Sequence, residues 1–457
     1  MRVKNTLIRL FVAIALLVPF GAAAQTSSIN AFSPFTMYGI GELNTPGTLP
    51  MRSMGGVGVA VRSGGVVNLL NPAAFSAAPQ KTFLFDFGLE GQNYYNAQRV
   101  SGEAKKTAYN TFNFHDIAFQ FPLAKKLGLG FSLTPYSSVG YRIRGDRPYD
   151  PSDPVWGNVG RMHSLYEGEG DITEVKVGIG WELFKNFSVG IAAQYYWGSL
   201  DRTFTMEVTP ITGDGNYVAM KGIDKYVVSS IKGQVGVQWD AVKNTKRVLT
   251  VGAAFDFGGD LDPEVTKKIY VNDLVGTVAK NDETHLPLLL PRQLQAGLFY
   301  QTAKWSLGAD YVYQDWGGRN ARVEHTAVSG PDKSSFAVAY TDTHTLKFGA
   351  EFTPDRYDIR HFLKRWSYRA GFRCGAYNQT FGGHRLAQYA VTLGIGIPVK
   401  QWAVSGIDIG VEYGRRGYNV AERIGLVRQQ YVKFSIGFTL FAGAENSEYW
   451  FLRPKYD

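Results

Sequence analysis

Histidine is the side chain most often used to move protons or bind metal near neutral pH. The chain carries seven, at 115, 163, 285, 325, 344, 361 and 384, and their spacing follows no metal-ligand pattern. The single cysteine, Cys374, excludes an intrachain disulfide framework and a cysteine-based zinc ribbon. No Gly-x-Ser-x-Gly elbow is present, and the sequence places no nucleophile beside Asp342-Thr343-His344. Gly55-Gly56-Val57-Gly58 lacks the Gly-x-Gly-x-x-Gly or Gly-Lys-Ser/Thr pattern and the following helix that a phosphate loop requires. The chain is therefore expected not to be an enzyme and to use no metal or cofactor.

The charged residues are ordered differently. Over residues 345–352, Leu346, Phe348, Ala350 and Phe352 alternate with Thr345, Lys347, Gly349 and Glu351. Successive side chains of a strand point to opposite faces, so this is a two-faced strand. Ile407, Ile409, Val411 and Tyr413 alternate with Asp408, Gly410, Glu412 and Gly414. Val432, Phe434, Ile436, Phe438 and Leu440 alternate with Lys433, Ser435, Gly437 and Thr439. Charge and glycine together on one face suit a crowded polar lumen, and the apolar face suits lipid. Glu351, Arg369, Arg373, Asp408 and Glu412 are then lumen charges, with Asp86, Glu90, Lys176, Glu182, Lys347 and Lys433. Buried charges need partners, found in each other or in Arg52 and Arg62 of the N-terminal segment. Cys374, in phase with Ala370 and Phe372, is expected to face lipid as a small hydrophobe.

The elements that hold these residues are expected to be strands crossing a bilayer. Of 457 residues, 45% are apolar, 19% charged and 14% aromatic, and 52 are Gly. This composition argues against disorder and coiled coil. A mean hydropathy of −0.15 excludes a helical membrane protein but not a barrel, whose two faces average out. The formal net charge of +9 comes with no basic block of the kind that binds nucleic acid. Residues 1–24 read as a signal peptide: Arg2, Lys4 and Arg9, an apolar core at 10–18, then Ala22-Ala23-Ala24.

About fourteen strands are expected within residues 82–441. They start near Thr82, Tyr109, Leu127, Gly168, Phe187, Ile223, Arg247, Leu288, Trp305, Asp342, Trp366, Tyr389, Ser405 and Gln430. Connections alternate between long (96–107, 145–167, 206–222, 258–287, 317–341, 378–388, 415–429) and short, with 353–365 the exception. Tyr195-Tyr196-Trp197, Tyr311, Tyr313 and Trp316 sit near strand ends, as interfacial girdles do. The expected fold class is thus all-β: a transmembrane antiparallel β-barrel in the bacterial outer membrane. Both barrel ends face the periplasm, and the loop with Trp156 and His163 faces outside. A secreted all-β domain is the alternative.

Residues 25–81 do not alternate. They are rich in Gly, Pro and small residues, and carry Val57, Val59, Leu69, Leu70 and Phe75, which disfavour free solvation. A barrel of this size encloses more space than its own side chains fill. This segment is expected to enter it as a hatch, or plug. Such a chain, with Asn71-Pro72-Ala73 near the end of a Gly-rich N-terminal segment, resembles the FadL/TodX family of outer-membrane barrels that import hydrophobic compounds. Leu290-Pro291, Gly297-Leu298-Phe299-Tyr300, Trp305, Asp310-Tyr311 and Trp316 resemble that family's late hairpin, and Tyr413-Gly414-Arg415-Arg416-Gly417 its penultimate turn. The resemblance implies that Asn71, Pro72 and Ala73 close the hatch. It also implies that a ligand captured outside leaves sideways, beside a kinked third strand.

Here the third strand spans 127–144 with Pro135 in its middle. Proline cannot donate to a ladder, so a bulge or break is expected there. A side opening at Pro135, Tyr136, Ser137, Ser138 and Gly140 follows, the alternative being a bulge that opens nothing. The long loops hold Trp156, Met162, Leu165, Val275 and 286–290, apolar groups suited to collecting a ligand or a protein. Residues 442–457 form a periplasmic tail whose Tyr449, Trp450 and Phe451 suit either the barrel mouth or a partner. The expected function is passive uptake of hydrophobic small molecules, fatty-acid-like or aromatic, past the hatch and through the wall. Its expected partners are outer-membrane lipids and that ligand. The alternative is a non-transporting subunit of a larger outer-membrane complex, for secretion or barrel assembly, with other envelope proteins as partners.

Overall fold

The computed structural model describes residues 31–100, 103–152, 160–211, 217–271, 274–280, 288–316, 324–325, 337–358, 360–381, 383–399, 406–417 and 427–442. The signal segment 1–24, Trp156, and Tyr449, Trp450 and Phe451 of the tail lie outside them.

Fourteen strands form the wall. In chain order they are β1 Phe83–Val100, β2 Glu103–Ala124, β3 Leu127–Arg147, β4 Arg161–Phe184, β5 Phe187–Thr209, β6 Tyr217–Lys243 and β7 Arg247–Asp256. Then come β8 Arg292–Thr302, β9 Trp305–Asp315, β10 Thr343–Phe352, β11 Ser367–Phe381, β12 His384–Pro398, β13 Gly406–Arg416 and β14 Arg428–Ala442. Each pairs antiparallel with the next, and β14 returns to β1 from Phe83–Ala442 to Ala97–Arg428. The ring is closed, which removes the sheet edges a bilayer cannot accommodate everywhere except along a parting between β2 and β3.

The parity of the sequence matches the two faces. Val177, Ile179 and Trp181 of β4 point outward, as do Phe348, Leu393 and Phe434, while Lys176, Lys347, Thr392 and Lys433 are buried inside. Cys374 is half-buried and pairs with the outward Leu346. Short turns such as Lys125-Lys126 and Lys185-Asn186 join strands at one end. The positive φ of Lys126 (70°) and Asn186 (69°), with a register shift beside each turn, marks the left-handed residue that follows a type I turn in a bulged hairpin.

At the other end the strands run further than expected. β2 starts at Glu103, β4 at Arg161, β6 at Tyr217 and β12 at His384, each several residues before its expected start. Of the expected loops 96–107 and 378–388, residues 96–100, 103–107, 378–381 and 384–388 are strand. The 258–287 loop holds a hairpin, Glu264–Val271 and Leu274–Lys280, that pairs with β6. Beyond the bilayer both faces of a strand meet water, so alternation fades while the backbone ladder continues. β4 has 24 residues, roughly 80 Å of strand, against about 30 Å of hydrocarbon.

The loop apolar groups are also placed differently. Leu288, Leu290 and Trp316 are not exposed; they pack with Ile40, Tyr141, Ile172 and Tyr226 in a buried cluster. Trp316, expected in the girdle, is fully buried and stacks on Tyr340. The chain turns inward after β9, where Asp342 accepts the Trp316 backbone N–H at 3.0 Å and Gln314 its indole N–H at 3.2 Å. Met162 and Leu165 lie on β4 rather than in a loop, and Met162 is buried.

Candidate functional site: a filled lumen and a seam in the wall

Residues 31–80 lie against the polar inner face of the wall. Short helical turns at Pro34–Met37, Leu49–Arg52 and Pro72–Ala77 each begin with proline in the first turn, where its missing N–H costs nothing. Asn71 caps the last of them: its Oδ1 accepts the Ala73 N–H at 3.1 Å. Its Nδ2 donates to the carbonyls of Val59 (3.0 Å), Val237 of β6 (3.0 Å) and Ala253 of β7 (3.1 Å). One fully buried amide thus ties the inner segment to itself and to two wall strands. Ala73 and Pro72 pack beside it.

The wall meets this segment with glycine. Gly128–Gly180, Gly180–Gly190 and Gly190–Gly236 are cross-strand partners on one bank of the lumen. Gly308–Gly349, Gly349–Gly371 and Gly394–Gly410 are partners on the other. A Cβ at Gly180 would lie 2.5 Å from the Pro72 carbonyl oxygen; at Gly128, Gly252, Gly349 or Gly371 it would also strike inner-segment backbone. Backbone therefore rests on backbone around most of the ring. This uses glycine for close approach rather than for flexibility.

Charges fasten the same contact. Arg52 holds Glu90, which Lys433 also reaches at 3.1 Å. Arg62 bridges Asp240 (2.7 Å) and Glu182 (2.9 Å). Within the wall, Arg369 joins Glu351 (2.7 Å) and Asp408, and Arg373 holds Glu412. Sequence reasoning missed Glu42, which pairs with Arg416, and Asp310, which accepts the N–H groups of Gly58 (2.7 Å) and Val59 (3.0 Å). Asp310 lies on the polar parity of β9, a signal that was available; Glu42 lies in a segment with no periodicity to read.

Beside the inner segment is a cavity of ≈ 220 Å³. Gln194, Gln234, Gln295, Lys176, Lys347 and Arg373 are among its lining groups. The Lys176 and Lys347 ammonium groups donate to the Leu69 and Gly56 carbonyls. The lining is mixed: Leu69, Leu70, Tyr196, Leu290 and Val312 stand beside these amides and charges, so it is neither a purely polar channel nor the mostly apolar pocket that holds a greasy ligand.

The wall itself has one interrupted ladder. β2 and β3 pair only from Ala124–Leu127 to Ile117–Leu133. Beyond that, among the wall strands, β2 pairs only with β1 and β3 only with β4. Bulges flank the parting: the β1–β2 register slips at His115, whose ring covers Gly88, and the β3–β4 register slips at Tyr136, after Pro135. The five residues Pro135, Tyr136, Ser137, Ser138 and Gly140 all lie on this seam. The inner segment covers their edge: Glu42–Leu43 pairs with Ser138 and Ser137, the Asn44 N–H donates to the Tyr136 carbonyl (2.9 Å), and the Ser33 N–H to the Gly140 carbonyl (2.8 Å). On the β2 side Phe32 stacks on Tyr109, 4.4 Å between centroids. A cleft of ≈ 30 Å³ remains in the seam, between Thr111, His115, Pro135 and Ser138.

No group of three His, Cys, Asp or Glu is placed to hold a metal among the described residues. Asp342 and His344 are engaged by Tyr313 (3.0 Å) and Tyr311 (2.6 Å).

A model of the BamG family matches residues 6–457. The chain belongs to the BamG family. This BamG-family chain also resembles solved barrels. It covers 99% of a Pseudomonas aeruginosa FadL homologue with 88% of its own length, at 13% identity and a TM-score of 0.57. It covers the whole (100%) of the Pseudomonas putida toluene transporter TodX with 89% of its length, at 15% identity and a TM-score of 0.51. For the monoaromatic hydrocarbon channel CymD the shares are 98% and 87%, at 13% identity and a TM-score of 0.52. No curated protein matches the sequence. The likeness expected from Asn71-Pro72-Ala73 and the late hairpin thus holds as fold: a FadL-like, outer-membrane-type barrel.

Proposed function

We propose that this BamG-family chain is a non-transporting barrel subunit of a larger outer-membrane complex of the secretion or barrel-assembly kind, with both barrel ends in the periplasm. The observation that carries this reading is the seating of residues 31–80 in the lumen, and we read the whole of 25–81 as a permanent hatch. It is seated backbone-to-backbone on wall glycines and bonded by Asn71, Arg52 and Arg62. Two features support it. The lysines of the cavity beside the hatch are bonded to hatch carbonyls, Lys176 to Leu69 and Lys347 to Gly56, and the described loop residues Leu288, Leu290 and Trp316 pack in one buried cluster instead of forming an outer collecting surface. Purification of the tagged chain from native membranes in mild detergent tests the reading. Stoichiometric recovery with other envelope proteins is expected; a lone barrel carrying bound lipid refutes it.

A second reading is passive uptake of hydrophobic small molecules past the hatch and through the wall. The interrupted ladder above Leu133 favours it, because it leaves a seam where Pro135 to Gly140 line one edge. Flux of a fatty acid or toluene into liposomes holding the purified barrel is its test. A disulfide across the seam between β2 and β3 must abolish that flux; unchanged flux, or none at all, removes this reading.

A further inference from the structure

The seam has two unequal edges. The β3 edge is occupied by the chain's own residues, Ser33, Glu42, Leu43 and Asn44. On the facing edge of β2, residues 104–108 and 110–116 have no ladder partner among the described residues, and Tyr109 between them meets Phe32. Part of it stands where lipid begins. Phe112 and Phe114 point outward, Phe112 is 70% exposed, and Gly91 and Leu89 of β1 oppose them. A backbone row facing hydrocarbon must find hydrogen-bond partners. Hydrocarbon chains cannot supply them; another strand can, and strand addition to an open edge is a common mode of protein recognition.

Charge narrows the occupant. Beyond the membrane band the two banks of the seam carry Lys105 and Lys106 on β2, and Arg142 and Arg144 on β3, all exposed. Arg142 is held by Glu167 at 2.8 Å, and the nearby Asp146 by His163 at 2.8 Å. Lys105, Lys106 and Arg144 have no ion pair among the described residues.

We propose that the β2 edge takes an extended strand from another envelope protein, apolar where it passes Phe112 and Phe114 and acidic where it passes Lys105, Lys106 and Arg144. This rests on the subunit reading and names where the partner binds.

Backbone amide exchange over residues 104–116 tests it, followed in three samples of the full chain: alone in detergent, in nanodiscs of lipopolysaccharide and phospholipid, and in the complex purified from native membranes. The expected result is fast exchange in the first two and at least tenfold slower exchange in the third. Residues 137–138, already paired with Glu42 and Leu43, exchange slowly in all three. Asn110→Cys in a Cys374→Ser background then crosslinks to a peptide of a different chain that carries acidic residues. Lys105→Glu with Lys106→Glu lowers recovery of that partner at least tenfold, while Lys→Arg at both positions restores it.

Slow exchange in detergent alone means that this chain closes its own seam, and overturns the proposal. Slow exchange in nanodiscs assigns the edge to lipid, and a crosslink to a second copy assigns it to self-association; either overturns it. Fast exchange in an intact complex also overturns it but leaves the subunit reading standing. Absence of any complex removes both.

Discussion

Replacing Gly180 with alanine isolates the contact between wall and hatch. The new Cβ would stand 2.5 Å from the Pro72 carbonyl oxygen, 2.7 Å from the Ser76 nitrogen and 3.1 Å from the Ala73 carbonyl oxygen. All three are backbone, so no side chain can swing away. Restoring ordinary contact at 3.4 Å requires the 72–77 turn to retreat by about 0.9 Å. The buried Ser76–Ser188 hydroxyl bond, 2.9 Å long, would stretch past bonding distance. Overpacking costs roughly 1–3 kcal/mol, and stranding buried hydroxyls roughly 1–3 more. A total of about 2–6 kcal/mol follows. Gly222 of β6 is the control, since a methyl group there would have nothing within 4 Å; Gly222→Ala should be neutral or slightly stabilising, because glycine in a strand is itself costly. Urea unfolding in detergent, with limited proteolysis of the hatch, measures both. Equal midpoints and equal hatch protection in the two variants would refute close backbone seating.

Four other outcomes are expected. Asn71→Ala removes a helix cap and the donor shared by three carbonyls, and should cost about 2–4 kcal/mol in the same urea assay. Arg373→Met leaves Glu412 buried without its partner and should cost roughly 3–5 kcal/mol, much of it regained in the double variant with Glu412→Leu. Ile409→Arg places a charge on the lipid face and should cost roughly 2–4 kcal/mol near mid-membrane; tolerance would put that face elsewhere. The backbone N–H groups of His361 and Arg360, with His361 and Lys364 side chains, hold the Asp358 carboxyl at about 2, below its usual 3.8. A depressed carboxylate stabilises above its unfolded value and loses that effect as pH falls. Amide exchange in the 355–366 turn should therefore be flat above pH 4 and accelerate, after correction for intrinsic rates, as pH drops through about 2.

Period-two alternation located all fourteen strands because one face of each must meet lipid. It failed where lipid ends: residues 103–108 and 161–167 are strand, yet neither stretch has a face that must meet lipid. Trp316 was legible only as an aromatic near a strand end, since its direction depends on Gln314 and Asp342 rather than on its own position. Pro135 announced the seam because a missing N–H is a local property. The partner bulge at His115 was silent, since nothing in its neighbours forbids pairing. The glycines were visible as composition and parity. Their register across the ring, the feature that seats the hatch, exists only once strands are aligned.

The order of assembly follows from where the hatch lies. It precedes β1 in the chain, yet Arg52 and Glu42 find their partners on β1 and β13, and Ser33 bonds Gln429 of β14, the strands that close the ring. A finished ring leaves no route for some fifty residues to thread in and settle on glycines that admit no side chain. The hatch must be in place while β14 is still finding β1. It then acts as a mandrel: the wall is wound around it, and its charges help decide when the last ladder can shut.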